Sequence, residues 1–469
     1  MFNTFINAFK IKDLRKKILY TLLLIVVYRL GSAIPIPGVN LAGWQKATEQ
    51  LTAMSDFMSL MSGSAFSQFT IFAMGISPYI TASIILQLLT IAIPALERMS
   101  KEEDGRQKIE RITRYAGVGL AVVQSIGIVM SYNGVLSDGS YIVSNADGLF
   151  VLRLAIIAIC AAAGTAFLMW LGERITEKGI GNGISMLIFA SIVSRVPDFI
   201  KERITAIAAA PGSVMTWVIF VLTIVVILAL ITFVVYIDKA VRKIPVQYAK
   251  RVVGRKMYGG QNTHLPMKAN ANGVLPLIFA MTIMQFPEMI MQFFHRGGSF
   301  MNFWYRWMVS SPKVWDPNFV NSNGTLGNYL STSVLKATGV TYTGIQYAPF
   351  VYYLVYFLLI IAFGYFYTSI TFNPVEMSKN LQSNGGFIPG IRPGKPTGEY
   401  LGKISNRLTL FGSLFLAVIA IVPTIILNIM GVTNMFGATS VLIMVSVALE
   451  TTEQLESQML MRHYKGFLN

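Results

Sequence analysis

Long apolar runs separated by short polar stretches dominate the chain, and one of these runs is broken. Residues 54–93 read MSDFMSLMSGSAFSQFTIFAMGISPYITASIILQLLTIAI. The first part, from Ser55 to Met61, predicts a short apolar helix with Phe57, Leu60 and Met61 on one face, stopped by the Ser-Gly-Ser at 62–64. It is far too short to cross a bilayer. The second part, about 74–93, has the roughly 20 apolar residues that a spanning helix needs at 1.5 Å per residue, with Gly75 and Pro78 loosening its first turns. Non-spanning backbone at membrane depth is tolerated only where protein buries it or where it lines a water-filled cavity. The break therefore implies that the chain encloses something wet.

Further apolar runs predict spans at about 112–132, 150–171, 182–196, 214–237, 274–294, 350–371, 404–427 and 435–450. Together with 18–34 and 74–93 they make ten. The fifth, 182–196, sits near the lower length limit and carries Asn182 and Ser185. Lys10, Lys12, Arg15, Lys16 and Lys17 precede the first run, and Gly31-Ser32-Ala33 lies near its end, a pattern that a cleaved secretory signal would also show. The spans that follow argue for retention. Lys and Arg gather in the amino terminus, the even-numbered loops and the carboxyl tail, which predicts that both termini are cytoplasmic.

Composition agrees with this class: the 469 residues are 54% hydrophobic and 13% charged, as expected of one integrated polytopic membrane domain. Cys160, the single cysteine, lies within an apolar run and reads as a small buried hydrophobe. The formal net charge of +16 falls mostly on one face, which suits topology and contact with anionic phospholipids.

Two loops carry more charge than orientation requires. The loop at about 238–271 holds eight Lys and Arg, including Lys250, Arg251, Arg255 and Lys256, with Tyr248 and Tyr258 interleaved. The loop at about 373–403 contains GGFIPGIRPGKPT, a stiff Gly/Pro turn presenting Arg392 and Lys395. Loops of this length in a compact protein are usually functional, and basic projections with aromatic residues suit an acidic or RNA-bearing partner.

Chemistry is nearly absent from the pattern. Gly394-Lys395 is followed by Pro396, where a phosphate-binding loop needs Ser or Thr, so ATP is not hydrolysed by that route. His264, His295 and His463 lie in different loops without ligand spacing, and the glycines of GIGNGI at 179–184 read as a turn rather than a dinucleotide fingerprint. No cofactor is expected and no enzyme is predicted. The spans are almost bare of charge: Arg29 lies in the first, Arg153 near the start of the fourth, and Glu288 and Glu450 towards span ends, where snorkelling or local pairing accounts for them.

The strings RLGSAIPIPG at 29–38, IFAMGISPYITASIILQLLT at 71–90, GERITEKGIGNGIS at 172–185, THLPMKAN at 263–270 and NGGFIPGIRPG at 384–394 together resemble the SecY family, the central subunits of bacterial protein-conducting channels. The likeness runs nearly the whole length. It implies an all-α fold of ten transmembrane helices in two pseudo-symmetric, inverted halves, 1–203 and 204–469, around an hourglass pore. It also implies a function: unfolded secretory polypeptides pass through the pore, and transmembrane segments leave sideways into lipid. The secondary transporter of a small solute is the alternative class, and it would need a polar midplane site.

The same resemblance carries a pore ring onto Ile76, Ile80, Ile184, Ile188, Ile278 and Ile443. Ile76 with Ile80, and Ile184 with Ile188, are i,i+4 pairs about 6 Å apart along a helix axis, so each would supply two layers. Ordinary helix packing is the bland reading of that periodicity. The short segment at 55–67, with Ser55, Phe57, Leu60 and Met61, resembles the plug that seats on the ring. Ser83, Gln87, Gln124, Thr282 and Phe286 are candidates along a lateral gate, although interhelical hydrogen bonds explain the polar ones equally well. Driving energy is implied to come from the SecA ATPase or a translating ribosome on the two basic loops, with SecE and SecG as companion subunits and signal peptides and nascent membrane proteins as substrates. The external loop at about 295–348, with Trp304, Tyr305, Trp307 and Trp315, is longer than the family pattern leads one to expect, and FWYRWM suits an interfacial amphipathic helix.

Overall fold

The computed structural model describes residues 6, 8–50, 58–59, 61–135, 141–143, 148–209, 214–248, 251–253, 256–258, 262–270, 273–291, 348–429 and 438–466. The amino-terminal part contains α1 (Lys12–Gly31), α2 (Leu41–Gln50), α3 (Ser64–Ser67), α4 (Ser77–Ala92), α5 (Pro94–Lys101), α6 (Glu103–Val135), α7 (Phe150–Lys178), α8 (Gly183–Val193), α9 (Val196–Ala209) and α10 (Val214–Asp238). There follow β1 (Val241–Tyr248), β2 (Arg251–Val253), β3 (Lys256–Tyr258), β4 (Asn262–Lys268), α11 (Leu275–Met291), α12 (Ala348–Thr371), α13 (Pro374–Ser383), β5 (Gly386–Phe387), α14 (Lys395–Ile429) and α15 (Ala438–Gly466).

Among the described residues, six helical stretches are long and apolar enough to span: Gln107–Met130, Phe150–Lys178, Gly183–Lys201, Thr216–Asp238, Val351–Ser383 and Lys395–Leu427. α4 and α5 make a seventh if counted as one span bent by 108°. That bend has a local cause. Pro94 pushes the residue before it out of the helical region, and Ile93 sits at φ −109°, ψ 110°. Among the described residues, the three remaining expected spans fall short for separate reasons. α1 contains Arg15, Lys16, Lys17 and Arg29, the apolar part of α11 is short, and α15 turns polar from Glu450 onward.

Close packing groups the helices. α6 lies against α4 and α7, and α8 against α7; α12 lies against α11 and α14, and α10 and α14 against α15. α8 meets α15 across these two groups. Sequence pattern did not anticipate strands, yet β1 pairs antiparallel with both β4 and β5 in a three-stranded sheet, while β2 and β3 form a small hairpin. Alternation explains β1: Ile244 and Val246 are buried while their neighbours are not, and they pack with Leu381, Ile388, Leu401 and Ile404.

Candidate pore constriction and its seal

The chain enters α4 through a sharp turn. Gly75 takes φ +57°, and Ile76 becomes the N-cap rather than a helical residue. The Ile80 amide still donates to the Ile76 carbonyl at 3.1 Å, so the one-turn spacing expected of this pair is kept. Ile76 is buried with Leu24, Tyr28, Phe72 and Leu187, and both Ile80 and Ile184 pack against that cluster and against the main core.

α8 is positioned by its cap. The Asn182 side chain accepts from the amides of Ile184 at 3.1 Å and Ser185 at 3.4 Å, meeting two donors that an uncapped helix start would leave open. Asn182, which reads in the sequence as a blemish on a short span, is what starts it. Gly183 packs so closely on the Gly172 carbonyl that a Cβ there would collide with it, which sets α8 against the end of α7. Ile188 then joins Ile278 of α11 and Ile443 of α15 in the main buried cluster, and all three line one cavity of about 300 Å³.

The same cavity is also lined by polar side chains, among them Asn182, Asp238, Lys268, Asn270 and Glu450. Asp238 ends α10 and accepts from Asn270 Nδ2 at 2.8 Å and from the Ser446 hydroxyl at 2.7 Å. One carboxylate thus ties together a helix end, the strand-bearing loop and α15. Lys268 pairs with Glu453 beside it. Sequence reasoning passed over this network. Its signal was an Asp closing a long apolar run and an Asn inside the THLPMKAN string.

The segment preceding α3 closes on the same core. Met58 and Met61 are 4% and 3% exposed and belong to the buried cluster that holds Ile188, Ile278 and Ile443. Ser55, Phe57 and Leu60 lie outside the described residues. The Ser62 hydroxyl donates to the Met58 carbonyl at 2.7 Å, and Gly63 breaks the helix at φ 68°, ψ −138°, a conformation open mainly to glycine. Downstream the chain is fixed: Trp44 Nε1 donates to the Phe66 carbonyl at 2.8 Å, and its ring stands 4.2 Å from that of Phe69.

Ser83, Gln87, Gln124, Thr282 and Phe286 fall on α4, α6 and α11. Two of them bond within their own helices: Gln87 Nε2 reaches Ser83 Oγ at 3.4 Å, and the Thr282 hydroxyl returns to the Ile278 carbonyl at 2.8 Å. Among the basic residues, Arg251 pairs in register with Tyr258, and Lys256 with Val253. Lys250 and Arg255 lie outside the described residues, as does 295–347 of the aromatic loop. Arg392 and Lys395 are exposed at the start of α14, where the Thr397 hydroxyl donates to the Arg392 carbonyl at 2.8 Å.

Comparison with known proteins places these features in context. A family profile described as SecY matches residues 70–452. The Protein translocase subunit SecY of Streptomyces coelicolor is 42% identical over 476 residues, covering 100% of both chains. Among solved structures, the channel described in "The plug domain of the SecY protein stablizes the closed state of the translocation channel and maintains a membrane seal" superposes with a TM-score of 0.59 at 20% identity, covering 94% of this chain and 92% of that one. Sec61 in the canine ribosome-channel complex from the endoplasmic reticulum superposes at 0.58 and 19% identity, with 94% and 92% covered. At these identities the structures establish a shared fold.

Proposed function

The chain belongs to the SecY family and is a protein-conducting channel; we propose that it passes unfolded polypeptides through a ring made by Ile76, Ile80, Ile184, Ile188, Ile278 and Ile443. One observation carries the reading: isoleucines from α8, α11 and α15, elements far apart in sequence, line a single cavity together with polar side chains. A bare aliphatic constriction gates by dewetting, and it yields around many sequences because it asks no specific hydrogen bond of them. In this reading ten helices in two halves, 1–203 and 204–469, surround the pore, with both termini cytoplasmic. Met58 and Met61 in the core around the ring support the assignment of 55–67 as its plug.

Motion of α4 and α6 away from α11 and α12 would open the lateral gate, with Ser83, Gln87, Gln124, Thr282 and Phe286 along it. The basic loops would receive SecA or the ribosome, whose energy the chain lacks. SecE and SecG would stand beside the exposed apolar faces, and anionic lipid would meet the cationic rim. A solute transporter is the less favoured reading, since the relatives are translocase subunits. The test is reconstitution into vesicles with SecE and SecA, scoring ATP-dependent protection of a secretory precursor from protease. Protection is expected; its failure where a control channel succeeds would contradict the proposal.

A further inference from the structure

Tyr28 lies on α1 and is 2% exposed, its ring stacked on Phe72 at 5.9 Å. Its hydroxyl donates to the backbone carbonyl of Ser62 at 3.1 Å and also meets Ser191 Oγ at 2.5 Å. The Ser191 hydroxyl in turn reaches the Leu187 carbonyl one turn back, at 2.9 Å. Ser62 is the last helical residue before the Gly63 break, and Gly63 itself packs on Ser191 and Ser194. So a phenol on α1 and a hydroxyl on α8 hold the carboxyl end of the 58–62 segment.

Two hydroxyls carry two hydrogens, but three contacts compete for them. If Tyr28 donates to Ser62, Ser191 donates to Tyr28 and gives up its contact with Leu187. If Tyr28 donates to Ser191, then Ser191 donates to Leu187, and the Ser62 carbonyl is released. Leaving a buried donor without an acceptor is costly, and here neither arrangement does so. The Leu187 carbonyl loses little when Ser191 turns away, because an α-helical carbonyl keeps its backbone partner.

We propose that Tyr28 and Ser191 form a hydroxyl relay that latches the 58–62 segment over the constriction and lets it leave without orphaning a buried hydroxyl. The relay is a positioning device: it touches no passing polypeptide and acts through the segment it holds. It rests on the reading of 55–67 as a plug. Phe72 on one side and the α1–α8 contact on the other keep the phenol in place in both states. The Ser32 hydroxyl also neighbours the phenol, but its own hydrogen goes to the Tyr28 carbonyl at 2.9 Å.

The test uses the full channel complex in vesicles, with Cys160→Ala and Ser59→Cys as the parent, reading thiol labelling at position 59 and resting ion conductance. Tyr28→Phe removes the latch and should raise resting labelling about fivefold, the weight of one ordinary hydrogen bond. Ser191→Ala leaves the phenol with Ser62 as its acceptor and should lower labelling by a similar factor; Ser191→Ala with Ser32→Ala should lower it at least as far. Opposite signs are the signature, because lost packing would raise labelling in both variants. Equal signs, or no change in either while precursor still exposes position 59, would overturn the relay and leave the plug standing. A parent whose labelling does not rise when precursor engages would overturn both.

Discussion

Tyr248 and Gly386 are register partners across β1 and β5, and a Cβ on residue 386 would stand 2.9 Å from Cε1 of the Tyr248 ring. The two basic loops, separated in the sequence by α11 and α12, therefore both contribute strands to one sheet. A side chain at 386 would have to displace that ring. The consequence is that a partner docking on either loop meets a single platform, backed by Ile244, Val246, Leu381 and Ile388.

Replacing Gly386 with Val should separate β5 from β1 while leaving the spans intact. Amide hydrogen exchange at Gln247 and Tyr248 should quicken, and coupling to SecA or the ribosome should fall. Unchanged exchange at these two amides would show that the sheet does not depend on the close approach.

Arg255 and Arg392 sit on these loops, and reversing either to Glu should weaken engagement of the motor or ribosome without affecting insertion. A rim charge acts largely through association rate, so the deficit should shrink as salt rises and screens the parent's advantage. Binding kinetics at two ionic strengths measure this. Normal binding and translocation in both variants would remove the docking assignment.

Asp238 accepts two hydrogen bonds, from Asn270 and Ser446. Asp238→Ala should strand both donors and cost about 1–3 kcal/mol for each that water does not satisfy. Asp238→Asn keeps an acceptor and should lose less, since the Ser446 hydroxyl can turn to suit it. Thermal unfolding in detergent ranks the three proteins, and an alanine variant as stable as the parent would mean the network does not brace the cavity wall.

Much of this fold was legible because a bilayer demands long apolar helices, and six of the expected runs fold into helices long and apolar enough. The break at 62–64 was equally visible, since Gly63 needs a backbone conformation that other residues avoid. What the pattern hid were features made by contacts distant in the chain. β1 pairs with β5 across two apolar helices, and no local alternation announces the partner of a two-residue strand. Asn182 read as a polar flaw because a window average cannot tell a helix interior from a cap. Tyr28 lies in an apolar run with nothing local to mark it, and only the approach of Ser62 and Ser191 gives its hydroxyl a task. The proposed ring residues stand between these cases: the i,i+4 spacing of Ile76 with Ile80 and of Ile184 with Ile188 was readable, but the meeting of Ile188, Ile278 and Ile443 at one cavity depends on how α8, α11 and α15 pack.

The most direct measurement of the account is the resting ion conductance of single channels whose ring isoleucines are replaced. Changing several of Ile76, Ile80, Ile184, Ile188, Ile278 and Ile443 to Ser widens the constriction and adds hydroxyls that hold water, so the dewetted barrier should weaken. Leak should grow with the number of substitutions, and removing 55–61 should add to it. Isoleucines that serve packing alone would instead lose roughly 1–4 kcal/mol of stability per truncation without new conductance. A folded, partner-bound multiple variant that conducts no more than the parent would contradict the assignment of the pore.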